Sequence, residues 1–346
     1  MKSCARKTSR ANLPLYTAVM LVVLAGCIPA FPTPTVVPLI SHVVKNVVGI
    51  KPMWVIEKVD IGLNNQDVAL DSFAGKTCFL GDLGIRYPHR NLDKNLVCLE
   101  SQSGDLLWNN ESGVHDSIAV TSNGIFVTYI SPASVRKYDF QNGNHIWREH
   151  LGGNGSSYLY FQDSQIEVVF IHERTVILST DGKVVRTING ESVFVSQRDE
   201  IVIDLDGLQS NKANTDDVLW KYEDTRINSA PFFTDDKIFV LKDFSKTEYA
   251  LDRNTGALLW EIPKILGNFA YSPNKQVVYA LREDGELLAI DENSGKESVI
   301  AKFSPAPFVY SDGVNDCGYQ LSYDEKEHIL VVYTGDSRQL FAFREQ

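Results

Sequence analysis

Side chains able to do chemistry are few in this chain, and their spacing is poor for it. The seven histidines, His42, His89, His115, His145, His150, His172 and His328, show no metal-ligand spacing. The sequence also lacks a nucleophile elbow, a Walker loop and an HExxH helix. Asp252, Asn254 and Gly256, like Asp291, Asn293 and Gly295, imitate the opening of a calcium loop. The closing glutamate is missing, and a tight turn explains these residues better. Tyr158, Tyr160 and Phe161 offer rings for stacking on a sugar, but their strand-like setting favours packing. No catalytic residue, metal or cofactor is expected.

The elements that would position any site are visible as a repeat. Gly104, Gly143 and Gly182 follow one another at 39 residues, as do Gly256 and Gly295, and the 74 residues between Gly182 and Gly256 hold two units with Trp220 between them. Trp108, Trp147 and Trp260 each stand four residues after their glycine; Arg186 and Val299 take that place in two units. Several short alternating runs in a unit of about forty residues indicate a blade of four antiparallel strands, and blades must stack to bury their faces. Glu248–Leu251 reads as a third strand, Asp252–Gly256 as a turn with positive φ at the glycine, and Trp260 as a ring offered to the neighbouring blade. Gly207–Asp217 reads as a poor third strand.

The chain stops after Leu340–Phe343, on a third strand, and Met53–Val59 can supply the missing fourth, with Trp54 in the tryptophan position. Counting fourth strands at Trp54, Trp108, Trp147, Arg186, Trp220, Trp260 and Val299 predicts an all-β seven-bladed propeller closed by an N-terminal strand. Eight blades would require splitting a long unit. The excess length of the first unit is assigned to an insertion at Gly81–Asp93, and that of the last to Asp312–Gly318.

Ala250, Asp252, Thr255, Gly256 and Trp260 match the A-x-D-x-x-T-G-x-x-x-W pattern of the pyrroloquinoline-quinone-like (PQQ-like) propeller repeat, and the other units match it in part. The chain therefore resembles that family. It departs from the family's dehydrogenases, having no adjacent cysteine pair and no CxxCH haem site, and none of their calcium or base residues can be placed on it.

At the N-terminus, Lys2, Arg6, Lys7 and Arg10 precede the apolar Leu13–Leu24, and Leu24-Ala25-Gly26-Cys27 follows at once. The layout is that of a secretory signal, too short to span a bilayer comfortably. The L-A-G-C order resembles the bacterial lipobox, which implies a signal peptide at 1–26, cleavage before Cys27 and lipidation of its thiol and amino group. Pro29, Pro32, Pro34 and Pro38 mark 27–50 as an extended tether, with the propeller at 51–346. Part of the apolar stretch Val36–Ile50 can alternatively dock on the propeller or on a partner.

Formal net charge is −11, and removing residues 1–26 deletes four basic residues and no acidic one. So acidic a chain lacks the basic footprint of nucleic-acid binding. After processing, Cys78, Cys98 and Cys317 remain as candidate free thiols. Cys78 and Cys98 should lie on adjacent strands, so the readings are a disulfide or two buried thiols. The resemblance implies an extracytoplasmic, lipid-anchored scaffold that binds other proteins in the cell envelope; the alternatives are a quinone- or metal-dependent oxidoreductase and a ligand or polysaccharide sensor. Arg86, Tyr87 and Arg90 form a basic, aromatic island in the first insertion, predicted to project from the first full blade and touch a partner.

Overall fold

The computed structural model describes residues 45–345, apart from 62–67, 84–93, 224–230, 307–318 and the short stretches 114, 131, 154–156, 163, 171–172, 190–191, 196–198, 205–206, 214, 216 and 243–245. Two short strands come first, β1 (Asn46–Gly49) and β2 (Trp54–Glu57). The first blade follows as β3 (Val59–Ile61), β4 (Leu70–Phe73), β5 (Lys76–Leu83), β6 (Lys94–Glu100) and β7 (Leu106–Gly113). Blade 2 is β8 (His115–Thr121), β9 (Gly124–Ile130), β10 (Ala133–Tyr138) and β11 (His145–His150). Blade 3 is β12 (Ser157–Gln162), β13 (Gln165–Phe170), β14 (Arg174–Ser179) and β15 (Val184–Asn189). Blade 4 is β16 (Ser192–Val195), β17 (Asp199–Asp204), β18 (Gly207–Lys212) and β19 (Val218–Glu223). Blade 5 is β20 (Phe232–Phe233), β21 (Lys237–Lys242), β22 (Thr247–Asp252) and β23 (Leu258–Ile262). Blade 6 is β24 (Ile265–Ser272), β25 (Val277–Arg282), β26 (Glu286–Asp291) and β27 (Glu297–Ser304). Blade 7 is β28 (Tyr319–Asp324), β29 (Ile329–Thr334) and β30 (Gln339–Arg344), completed by β2.

These are seven antiparallel sheets, and the eight-blade alternative falls away. Closure is as the sequence predicts: β2 lies antiparallel on β30 in the register Trp54↔Ala342 to Glu57↔Gln339. Turns between first and second strands, and between third and fourth, gather at one end of the ring, the lock end. Turns between second and third strands, and the connections between blades, lie at the opposite, connection end.

Three expectations need correction. Gly207–Lys212 is a full strand, with Gly207, Leu208 and Ser210 buried, because pairing on both sides supplies what its poor β-propensity lacks. The extra length of the first blade does not belong to Gly81–Asp93 alone. Gly81–Leu83 continues β5, and the innermost position is shared by β4, which pairs Phe73–Leu70 with Lys76–Phe79, and β3, which pairs Ile61–Val59 with Gly81–Leu83. Lastly, the ring begins before residue 51, since Asn46–Gly49 adds to the outer edge of β27 as a fifth strand of blade 6. The Asp312–Gly318 insertion and Cys317 lie outside the described residues.

Five of the seven junctions share one device. The indole at the lock position of one blade lies on the turn glycine of the next: Trp54 on Gly104, Trp108 on Gly143, Trp147 on Gly182, Trp220 on Gly256 and Trp260 on Gly295. A Cβ on Gly295 would stand 2.6 Å from Trp260, and one on Gly104 2.9 Å from Trp54. Gly256 also has φ +68, as the turn requires. Four of the indoles donate Nε1–H to a carbonyl of the next blade: Trp54 to Ser101 at 2.9 Å, Trp147 to Thr180 at 3.3 Å, Trp220 to Arg253 at 2.8 Å and Trp260 to Glu292 at 3.0 Å. Among the described residues Trp108 has no partner for its Nε1. The corresponding carbonyl, of Phe140, accepts instead from the Lys76 ammonium at 2.6 Å, which also lies over the Phe140 ring.

The lock is tested by a double-mutant cycle on Trp260 and Gly295. Trp260→Ala should cost about 3–5 kcal/mol and Gly295→Ala about 1–3 kcal/mol, measured by denaturant unfolding. In the Trp260→Ala background the Gly295→Ala cost should fall, because the clash is gone and only the backbone penalty remains. Additive costs would show that the two do not act together.

Candidate functional site

Among the described residues no group of three or more His, Cys, Asp or Glu side chains could hold a metal ion. The calcium-like residues do turn work: Asp252 Oδ1 accepts from Asn254 N, Thr255 N and the Thr255 hydroxyl, and Asp291 Oδ1 from Ser294 N and its hydroxyl. These hydroxyl bonds hold both carboxyls below the usual range. The aromatic trio packs inward. Tyr158 is buried, Tyr160 donates its hydroxyl to Pro231 O and meets Phe194 edge-on, and Phe161 stacks on Phe126. Cys78 and Cys98 stand directly opposite on β5 and β6, fully buried and joined as a disulfide. Cys27, Arg86, Tyr87 and Arg90 lie outside the described residues.

The surface that repeats around the ring is its outer edge. Fourth strands skip one residue of pairing just before the lock position, at Leu107, Ile146, Val185, Leu219 and Leu259. Such a bulge twists an edge strand and discourages sheet-to-sheet pairing. It also turns aliphatic side chains outward: Leu106 is 52% exposed, Val185 57%, and Val218 and Leu219 both 54%. Leu107, Ile146, Val184, Leu258 and Leu259 are exposed in the same way. The outcome is a rim of aliphatic groups on a rigid frame, with edge backbone beside them.

Sequence reasoning placed every tryptophan and glycine of the locks, and missed what closes the two junctions without them. Between blades 3 and 4, Arg186 Nη1 pairs with Glu200 Oε1 at 2.7 Å. Between blades 6 and 7 the lock position holds Val299 in place of a tryptophan. There Glu345 accepts the Tyr279 hydroxyl of blade 6 at 2.6 Å and the Tyr323 hydroxyl of blade 7 at 2.7 Å. Burial works to raise the Glu345 carboxyl, and these hydrogen bonds outweigh it, leaving the group below its ordinary range. A charged residue at a lock position was the available signal for Arg186. Glu345 carried none.

Residues 187–343 match the sequence profile of a family described as outer membrane protein assembly factor BamB. Over that stretch the propeller is similar to BamB-like PQQ repeats. Among solved structures, BamB from Moraxella catarrhalis is 11% identical, covers 86% of this chain and 100% of its own, and has a TM-score of 0.51. A chain of a mitotic checkpoint complex crystal structure is 13% identical, covers 85% of this chain and 95% of its own, and has a TM-score of 0.63. At such identities both speak to fold. No curated protein matches the chain.

Two carboxyls of the propeller make its stability depend on pH. Glu248 on β22 is fully buried, and among the described residues neither of its oxygens has a hydrogen-bond partner, at a place held elsewhere by Leu96, Val135, Thr175, Leu208, Leu287 and Leu340. Burial, with the Glu297 charge adding, pushes it well above the usual range. Burial likewise raises Asp71 to about 6, against hydrogen bonds from Val120 N and Ser72 N. A raised carboxyl favours folding below its unfolded pKa and loses that contribution as pH rises through the folded value. Thermal stability of the wild type should therefore fall as pH rises from about 4 to 6 through Asp71, and further as Glu248 ionises. Glu248→Gln should flatten the upper part of the profile; an unchanged profile would contradict the assignment. Separately, reducing the disulfide, which closes a 20-residue separation, should cost about 2–4 kcal/mol, read as a lower melting temperature in dithiothreitol.

Proposed function

We propose that this chain is a lipid-anchored extracytoplasmic scaffold that binds other proteins, with a place in cell-envelope assembly. The observation that carries the reading is the rim: exposed aliphatic groups recur at the fourth-strand edges of a closed ring whose junctions are pinned. Loops and edges on such a frame can hold a partner at little ordering cost. The match of residues 187–343 to a family described as an outer membrane protein assembly factor supports the same reading. So does the lipobox-like Leu24-Ala25-Gly26-Cys27, which would place the anchor at Cys27 and leave 1–26 as the signal peptide. The insertion with Arg86, Tyr87 and Arg90, which falls between β5 and β6 in the sequence, is proposed as one contact.

Native mass spectrometry of the protein purified from its own membranes should find stoichiometric protein partners. Replacing Leu106 and Leu107 by Asp, or Arg86, Tyr87 and Arg90 by Ala, should lower partner occupancy by tenfold or more (about 1.4 kcal/mol), with the melting temperature kept. Cys27→Ser should move the folded protein out of the membrane fraction. A retained quinone with no protein partner would overturn the scaffold.

A further inference from the structure

The N-terminal segment does more than begin the ring. Lys45 precedes β1 and its side chain is 1% exposed. Its ammonium pairs with Asp336 Oδ2 at 2.6 Å and donates to Pro305 O at 3.1 Å, while its backbone N–H donates to Gln339 Oε1 at 2.8 Å. Pro305 follows the last strand of blade 6, whereas Asp336 and Gln339 belong to the turn and third strand of blade 7. One residue thus bridges the junction that has Val299 in place of a lock tryptophan. Asn46–Gly49 then runs antiparallel along Ala301–Ser304. Blade 6 is suited to this addition, because its bulge has moved to Ile300 and leaves Ala301–Ser304 regular. Gly49, with φ +107, lies so close to this edge that a Cβ would stand 2.7 Å from Ile300 O.

The direction of β1 fixes where the chain enters. Asn46 pairs with Ser304, the residue of β27 at the connection end, and Gly49 with Ala301, nearer the lock end. We propose that Lys45–Gly49 is a latch: it pins blade 6 to blade 7 and fixes the exit of the upstream chain at the connection end of the propeller. Traction on the N-terminus is then borne by a buried ion pair and a strand ladder. Glu345 pins the same junction at the lock end, so Lys45 and Glu345 secure its two sides.

Hydrogen exchange of the full mature chain tests the latch. Lys45→Met and, separately, the milder Asp336→Asn should lower protection of the amides in 46–49 and 301–304 at least tenfold. Blade 3 should keep its protection, which shows that each variant is folded. Unchanged protection in both variants would overturn the proposal.

Discussion

An indole lying on a glycine is the contact on which this ring depends. Each blade can satisfy its own backbone hydrogen bonds, yet neither face of a four-stranded sheet is stable in water, so every blade needs two neighbours. The tryptophan supplies apolar area and a donor in one side chain, and the glycine supplies the space and the turn geometry that admit it. Where both residues are present, at five junctions, the contact recurs with the same partners. The bulge before each of these tryptophans except Trp54, on the closing strand, belongs to the same arrangement, since it disturbs the outer edge that the repeat would otherwise leave straight.

Polar contacts add selectivity to a device that is otherwise identical from blade to blade. The residue after the turn aspartate reaches back to the start of the preceding blade's second strand, and its partner changes with the junction. Arg253 makes a two-pronged pair with Asp199 between blades 4 and 5, whereas Glu292 takes Lys237 between blades 5 and 6. Each is buried, so a mismatched neighbour would leave an unpaired charge, an expensive error. At the junction between blades 6 and 7, where Val299 stands at the lock position, Lys45 and Glu345 bridge the two blades instead.

Much of this was open to reading in the sequence, because a repeat writes the same physics several times. Gly104, Gly143, Gly182, Gly256 and Gly295 gave the period, Trp54 the closure, and the count of seven followed. Three things escaped. Gly207–Lys212 lacks strand-forming residues and is ordered by its neighbours. The splitting of the innermost position between β3 and β4 leaves no mark in a period taken from tryptophans. Lys45 sits in an apolar stretch where only the folded chain shows that Asp336 and Gln339, nearly 300 residues away, are waiting for it. Of the candidate site, the repeat residues proved to be the frame, while the outward aliphatic pairs stood in plain sight before Trp108, Trp220 and Trp260 and became meaningful once their exposure was known.

If the junctions hold the ring as one body, its seven sheets must open together. Native-state hydrogen exchange at rising denaturant measures this directly, blade by blade. The account predicts that amides of the second and third strands in all seven blades converge on one opening free energy. Opening of blades 4 to 6 as a separate unit, with blades 1 to 3 still protected, would contradict it.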